Sequence, residues 1–176
     1  MPAEFAIQII PSAVLPAATH AAIVQLCTAA YGEDFTPYMI YPNPVHVLGY
    51  RADTLVSHAM WVTRWLQPGA APPLRTAYVE AVATAPAHQG RGYASAVMGH
   101  LAAAIAGFGL GALSPADAAF YVRLGWQRWE DPLAIRTSNG ILATPDEEIM
   151  ILRLPPTPPL DLKAPLSAEW RSGELW

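Results

Sequence analysis

Charge is scarce in this chain. Asp, Glu, Lys and Arg together make up 14% of its 176 residues, against about 25% in an average soluble domain. Lys and Arg number 10 against 14 Asp and Glu, a formal net charge of -4. Neutralising phosphates needs clustered basic side chains, so nucleic acid is not an expected partner. No Lys or Arg precedes Arg51, so neither the charged start of a signal peptide nor an Arg-rich transit segment is expected. A single cysteine, Cys27, excludes an internal disulfide and a cysteine-rich zinc site. Its expected place is that of a small buried apolar residue. His46, His58, His88 and His100 lack the spacing of metal ligands, and no metal is expected. His100 reads as a core histidine, and Arg64 and Arg75 as ordinary surface charges.

Between Arg91 and Asp117 there is no Asp, Glu, Lys or Arg. Gly107, Gly109 and Gly111 interrupt any single helix there, and Pro115 follows. The uninterrupted part, Tyr93 to Ala106, is too short to span a bilayer. It reads as a buried helix followed by a strand. No membrane partner is expected, and a cytoplasmic protein is the default. With 53% hydrophobic residues, there is enough apolar material for one domain with a sizeable core.

Proline, at 18 residues, acts mainly as punctuation. Phe5 to Ile10 reads as a strand closed by Pro11. Thr19 is the expected N-cap of a helix that ends at Gly32. The segment from Glu33 to Pro44 is a loop or a short irregular helix. Val45 to Tyr50 and Leu55 to Leu66 flank a turn at Ala52-Asp53 and predict an antiparallel hairpin. Leu74 to Ala83 alternates as a strand, with Tyr78, Glu80 and Val82 on one face. Leu110 to Leu113 predicts a short strand, and Pro115 to Leu124 a helix stopped by Gly125. Gln127 to Arg136 and Glu148 to Leu154 are the last expected strands. Pro155, Pro156, Pro158 and Pro159 then mark an extended segment. The apolar residues beyond it, Leu160 to Trp176, predict a tail that folds back. Trp61 and Trp65 are expected to pack.

The segment richest in chemistry runs from Val79 to Ala94, where a strand meets a Gly-rich loop that opens an apolar helix. Free N–H groups at a helix start and the positive end of its dipole can hold an anion. Gly90 and Gly92 would let the backbone close on a pyrophosphate, with Arg91 beside it. Taken alone, the loop reads equally as a tight turn. A second element, Tyr121 with Leu124-Gly125-Trp126, sits at the end of the next predicted helix.

Gln89-x-x-Gly92-x-Ala94 resembles the acyl-CoA pyrophosphate motif of the GNAT superfamily of N-acetyltransferases, and Tyr121 with Leu124-Gly125-Trp126 resembles its Y-x-x-L-G-F element. Within that superfamily the chain is similar to aminoglycoside 2′-N-acetyltransferases, including the kasugamycin branch. The matching pieces include Gly32 to Thr36, Tyr78-Val79-Glu80, Leu110 to Ser114, Thr144-Pro145-Asp146 and Trp170 to Trp176. The resemblance implies an α+β GNAT fold, with a mixed sheet of six to seven strands flanked by about four helices. It implies a GNAT domain over 1–154 and a Pro-rich extension over 155–176 that packs back on it.

The implied activity uses acetyl-CoA as co-substrate, without a metal, to acetylate the 2′-amino group of an aminoglycoside and confer resistance. Transfer would be direct, in a ternary complex. Another small amine or a protein N-terminus is the alternative acceptor, and a homodimer is the family expectation. Val82, Ala83 and Thr84 would hold the pantetheine arm, with the N–H of Val82 polarising the thioester. Gln89, Gly90, Arg91, Gly92, Tyr93 and Ala94 would hold the pyrophosphate.

Glu80, a lone carboxylate in an apolar strand, is either a solvated residue or a cleft-facing base; the resemblance implies the base. Tyr121 is either a packed aromatic or, by the resemblance, the acid for the coenzyme A thiolate. A polycationic substrate calls for acids, and the candidates are Asp34, Glu80, Asp146, Glu174 and the carboxylate of Trp176. Glu147 and Glu148 read as a solvated face.

Overall fold

The computed structural model describes residues 4–130 and 132–176. Its contacts divide the chain into two compact units, Met1–Val62 with Val79–Ala104, and Thr63–Tyr78 with Ile105–Trp176. Among the described residues there are ten strands, three α-helices and short 3-10 turns. Both parallel and antiparallel pairings occur, so the fold is α+β with a mixed sheet. There are more strands and fewer helices than expected.

The first unit is built on β1 (Phe5–Pro11), α1 (Ala17–Tyr31), β2 (Val45–Arg51), the part of β3 (Thr54–Pro68) up to Val62, the part of β4 (Leu74–Thr84) from Val79, and α2 (Tyr93–Ala104). β1 runs antiparallel to β2, and β2 antiparallel to β3. The hairpin turns at Ala52-Asp53, as its sequence predicts, with a register shift between Gly49 and Tyr50. Gly49 has a packing reason. A Cβ there would lie 2.7 Å from the Phe5 ring and 3.0 Å from Val97 of α2, so β1, β2 and α2 pack closely only around a bare backbone.

α1 buries Ile23, Leu26 and Cys27 and ends at Gly32, whose φ is +77°. Its N-cap is Pro16, without a side-chain cap, so Thr19 lies within the first turn rather than at the boundary. Pro16 sets an extended φ/ψ that admits the chain into the helix and makes a hydroxyl cap dispensable. α2 buries Val97, Met98 and Leu101. His100 lies on its exposed side, bonded to the Ala96 carbonyl at 3.0 Å, and is not a core residue.

The second unit adds β5 (Leu110–Leu113), α3 (Ala118–Val122), β6 (Gln127–Arg128), β7 (Leu133–Thr137), β8 (Gly140–Ala143), β9 (Met150–Leu152) and β10 (Leu166–Glu169). Its strand order is β6-β9-β5-β4-β3-β10-β7-β8. The expected strand from Gln127 to Arg136 is two strands. Between them the Trp129 N–H bonds Ile149 and its indole N–H bonds Ala164, and Pro132 offers no donor. The helix expected from Pro115 is shorter and starts after Asp117, whose carboxylate accepts from the N–H groups of Ala119 and Phe120.

The tail beyond the prolines supplies β10, antiparallel to the end of β3 and parallel to β7. Arg64 is not a surface charge. It is 1% exposed, and its guanidinium donates to the Leu175 and Glu169 carbonyls, each at 2.7 Å. Trp61 is buried, but Trp65 is exposed at 48% and does not pack as expected. Among the described residues no helix is long and apolar enough to cross a membrane.

Candidate active site

Alternating apolar residues carry β4 into the first unit, and at Ala81 the strand breaks its regularity with a φ of +53°. A non-glycine residue there costs roughly 1 kcal/mol or more, so its surroundings must hold it. Four successive carbonyls from this point accept from side chains. Ala81 is bonded to His58 Nδ1 at 2.8 Å, Val82 to the Tyr31 hydroxyl at 2.9 Å, Ala83 to Ser57 at 3.2 Å and Thr84 to the Gln89 amide at 3.1 Å. Glu80, one residue before the kink, is half-buried.

Gln89 thus ties the end of β4 to the Gly-rich loop. Gly90 and Gly92 have φ values of +72° and +81°, and a Cβ at either would meet nothing within 4 Å. These positions demand glycine for backbone conformation, and the space above them is open. With the start of α2 next to it and Arg91 exposed beside it, the loop has the donors, the charge and the room for a pyrophosphate. Tyr93 stacks on Phe5 with ring centroids 4.5 Å apart, which seats the first residue of α2.

Asp34, in the loop after α1, is exposed and accepts from the N–H and hydroxyl of Thr36 at 3.0 and 2.7 Å. Those bonds hold its carboxyl below the usual range. It therefore shapes the turn that follows, whatever else it binds.

Behind β4 lies a buried polar chain that sequence reading did not find. His46 Nδ1 is 3.0 Å from His58 Nε2, and His46 Nε2 is 3.0 Å from the Ser12 hydroxyl. Burial, with His20 adding to it, lowers the His46 pKa to about 4. Burial and then His46 lower that of His58 to about 3, against the hydrogen bond to Ala81, which raises it. A histidine depressed below its unfolded value of about 6.5 contributes stability that is present above that pH and lost as pH falls toward the folded pKa. Urea unfolding from pH 7 down to 4 should therefore show the fold losing roughly 3 kcal/mol or more. A flat profile over that window would contradict neutral burial of the pair.

In the second unit, Tyr121 sits on α3, 7% exposed, edge-on to Trp126. Burial, with Asp117 adding to it, raises its phenol to about 12. The indole N–H of Trp176 donates to the Thr144 hydroxyl at 2.8 Å, so the tail is brought to the loop that carries Asp146. Asp146 and Glu174 are both exposed. A cavity of about 310 Å³ opens beside this loop, lined in part by Trp129, Glu130, Thr144, Glu147 and Glu148. The acids that face it are Glu130, Glu147 and Glu148, and Asp146 does not line it. Glu148 also pairs with Arg128 at 3.2 Å. Among the described residues no three His, Cys, Asp or Glu side chains cluster as a metal site would require.

A kinked strand leading through a glycine loop into a helix makes an open site with the geometry for an anion. The family described as Acetyltransferase (GNAT) domain matches residues 16–129, and the chain belongs to it. It is 35% identical over 129 residues to an aminoglycoside 2′-N-acetyltransferase of Mycolicibacterium fortuitum, a match that takes in 69% of this chain and 66% of that protein. The matched part is thus just under two thirds of that relative's length.

Two solved structures show the same fold. An acyl-CoA N-acyltransferase from Pseudomonas aeruginosa superposes with a TM-score of 0.60 at 14% identity, over 84% of this chain and 99% of its own. Eis1 from Mycobacterium abscessus superposes with a TM-score of 0.60 at 19% identity, over 70% of this chain and 31% of its own.

Proposed function

We propose that this protein transfers the acetyl group of acetyl-CoA to the 2′-amino group of an aminoglycoside, with kasugamycin among the candidate substrates, and that the modification confers resistance. The observation that carries the substrate class is the 35% identity to the Mycolicibacterium fortuitum enzyme. A cytoplasmic location and, by family resemblance, a homodimer go with this reading.

In this reading the amine nitrogen attacks the thioester carbon, the C–N bond forms and the C–S bond breaks. The nitrogen loses one proton and the departing thiolate gains one, so the transfer is proton-neutral overall. The Val82 N–H polarises the thioester carbonyl. Half-buried Glu80 takes the proton from nitrogen, through a water, and a cationic substrate beside it would favour the carboxylate form. Tyr121 donates a hydrogen bond to the developing thiolate, which takes up the proton that leaves nitrogen. Val82, Ala83 and Thr84 hold the pantetheine arm, and the loop from Gln89 to Ala94 holds the pyrophosphate. Asp34, Asp146, Glu174 and Trp176 are the proposed substrate contacts. The cavity acids Glu147 and Glu148 join them as candidates on the strength of the lining.

Direct transfer is supported by the state of Cys27. Its thiol is fully buried, and burial raises its pKa to about 12, which leaves no thiolate to acylate. Replacing Cys27 by Ala should leave kcat within about twofold of the parent. A loss of several orders in a folded variant would instead indicate an acyl-enzyme.

The acceptor is tested by following coenzyme A thiol release with kasugamycin, other aminoglycosides, simple amines and a short peptide. Turnover confined to aminoglycosides supports the reading. Turnover only with simple amines or the peptide would replace it with the alternative acceptor.

A further inference from the structure

We infer that His58 is a positioning residue, which grips the Ala81 carbonyl and thereby aims the Val82 N–H at the thioester; the inference rests on the acetyl transfer proposed above. Ala81 C=O and Val82 N–H belong to one planar unit and point in opposite directions across a trans bond; no cis peptide occurs among the described residues. Whatever fixes the carbonyl on one side fixes the direction of the N–H on the other. This is the peptide at which β4 departs from strand geometry, because Ala81 has a φ of +53°. His58 Nδ1 lies 2.8 Å from the Ala81 oxygen, inside a 0% exposed side chain.

The donors can be ordered outward from the Ala81 carbonyl. A carbonyl only accepts, so His58 Nδ1 carries the proton. A neutral His58 then leaves Nε2 as an acceptor, and the atom 3.0 Å away, His46 Nδ1, must donate to it. His46 Nε2 lies 3.0 Å from the Ser12 hydroxyl, which also donates to the Pro44 carbonyl at 2.9 Å. Two donors therefore run in one direction, His46 to His58 to Ala81, with both imidazoles neutral. Cys27 Sγ, 3.8 Å from His58 Nδ1, packs against the ring. Tyr31, from α1, holds the next carbonyl, that of Val82, at 2.9 Å. The kinked peptide is thus held by a hydrogen-bond chain reaching through the unit, not by its own conformational preference.

Nitrogen-15 spectra of the imidazoles of the full chain read the tautomers directly. Protonated Nδ1 and bare Nε2 are expected on both His46 and His58; an Nε2–H tautomer on His58 would overturn the inference.

Two variants test the consequence. Asn places an amide N–H near the position of Nδ1, whereas Leu removes the donor. His58→Leu should lower kcat by about 10²-fold, the scale of a displaced reacting group, with the KM for acetyl-CoA changed less than about threefold. His58→Asn should recover most of that loss. Without any turnover, adding acetyl-CoA should shift the Val82 amide resonance in the parent and in His58→Asn but not in His58→Leu. Equal losses in two folded variants, or full kcat in His58→Leu, would reduce His58 to a packing residue. If His58→Leu does not fold, the folded Asn variant decides, and a loss as large as 10²-fold in it would overturn the inference. A parent that moves the Val82 resonance but acetylates no amine would sink the proposed reaction and leave the positioning role standing.

Discussion

Replacing Tyr121 by Phe should lower kcat for acetyl transfer by about 10²-fold and leave acetyl-CoA affinity within a factor of about two. The substitution removes one oxygen from a ring that is 7% exposed, so packing against Trp126 survives and stability should change little. The phenol's pKa, raised to about 12, keeps it in the donor form across the whole neutral range. A thiol of ordinary acidity ionises near 8.5, so at equilibrium this phenol does not surrender its proton to the thiolate. Its contribution is a hydrogen bond that strengthens as negative charge builds on sulfur, with the proton that leaves nitrogen closing the balance. The loss should therefore appear in kcat and grow for acyl donors with poorer leaving thiols. Unchanged kcat in Tyr121→Phe would return Tyr121 to the role of a packed helix aromatic.

Deleting Leu175 and Trp176 should reduce aminoglycoside turnover by more than about 10²-fold, with acetyl-CoA binding largely preserved. Within the second unit these two residues do more than end the chain. Trp176 is 5% exposed and bonds Thr144, and the Leu175 carbonyl takes one arm of the buried Arg64 guanidinium. Arg64 also lies over the rings of Tyr78 and Trp176, 4.9 and 5.9 Å from their centroids. The deletion should cost stability as well, by roughly 3 kcal/mol for the lost tryptophan alone. Thr144→Val separates the two effects, because it removes only the acceptor of the indole N–H. It should raise the aminoglycoside KM by several-fold, about the worth of one hydrogen bond, in a protein of nearly parental melting temperature. A deletion variant that is folded and acetylates normally would refute the tail's role.

Local features are legible in the sequence. The hairpin of β2 and β3, the strand leading to the Gly90 and Gly92 loop, and α2 all follow from alternation, turn chemistry and glycine placement within short stretches. What escaped depends on contacts between distant residues. Arg64 sits amid strand residues like any solvent-facing charge, and its acceptors are carbonyls more than a hundred residues away. β10 is four residues long and follows a proline-rich segment, so no periodicity announces it.

The His46–His58 pair depends on the register shift between Gly49 and Tyr50, which sets His58 opposite Leu48 and Met60 opposite His46 and so makes the two histidines diagonal neighbours. A regular hairpin turning at Ala52-Asp53 pairs His46 with Ala59 and His58 with Val47 and puts them on opposite faces, so the pair was not legible in the sequence. Of the proposed site, the phosphate loop was the most legible part, because its glycines are dictated by backbone φ. The acidic surface was the least legible, since which carboxylates of 146–148 line the cavity depends on how the loop turns.

The central claim is that this chain moves an acetyl group from coenzyme A directly to one amino nitrogen of an aminoglycoside. Carbon-13 labelled acetyl-CoA tests it in a single experiment, by NMR of the products formed with kasugamycin and related compounds. The account predicts one labelled amide on the 2′ nitrogen for each thiol released. Label found only as free acetate, on the protein, or on a different nitrogen would contradict it.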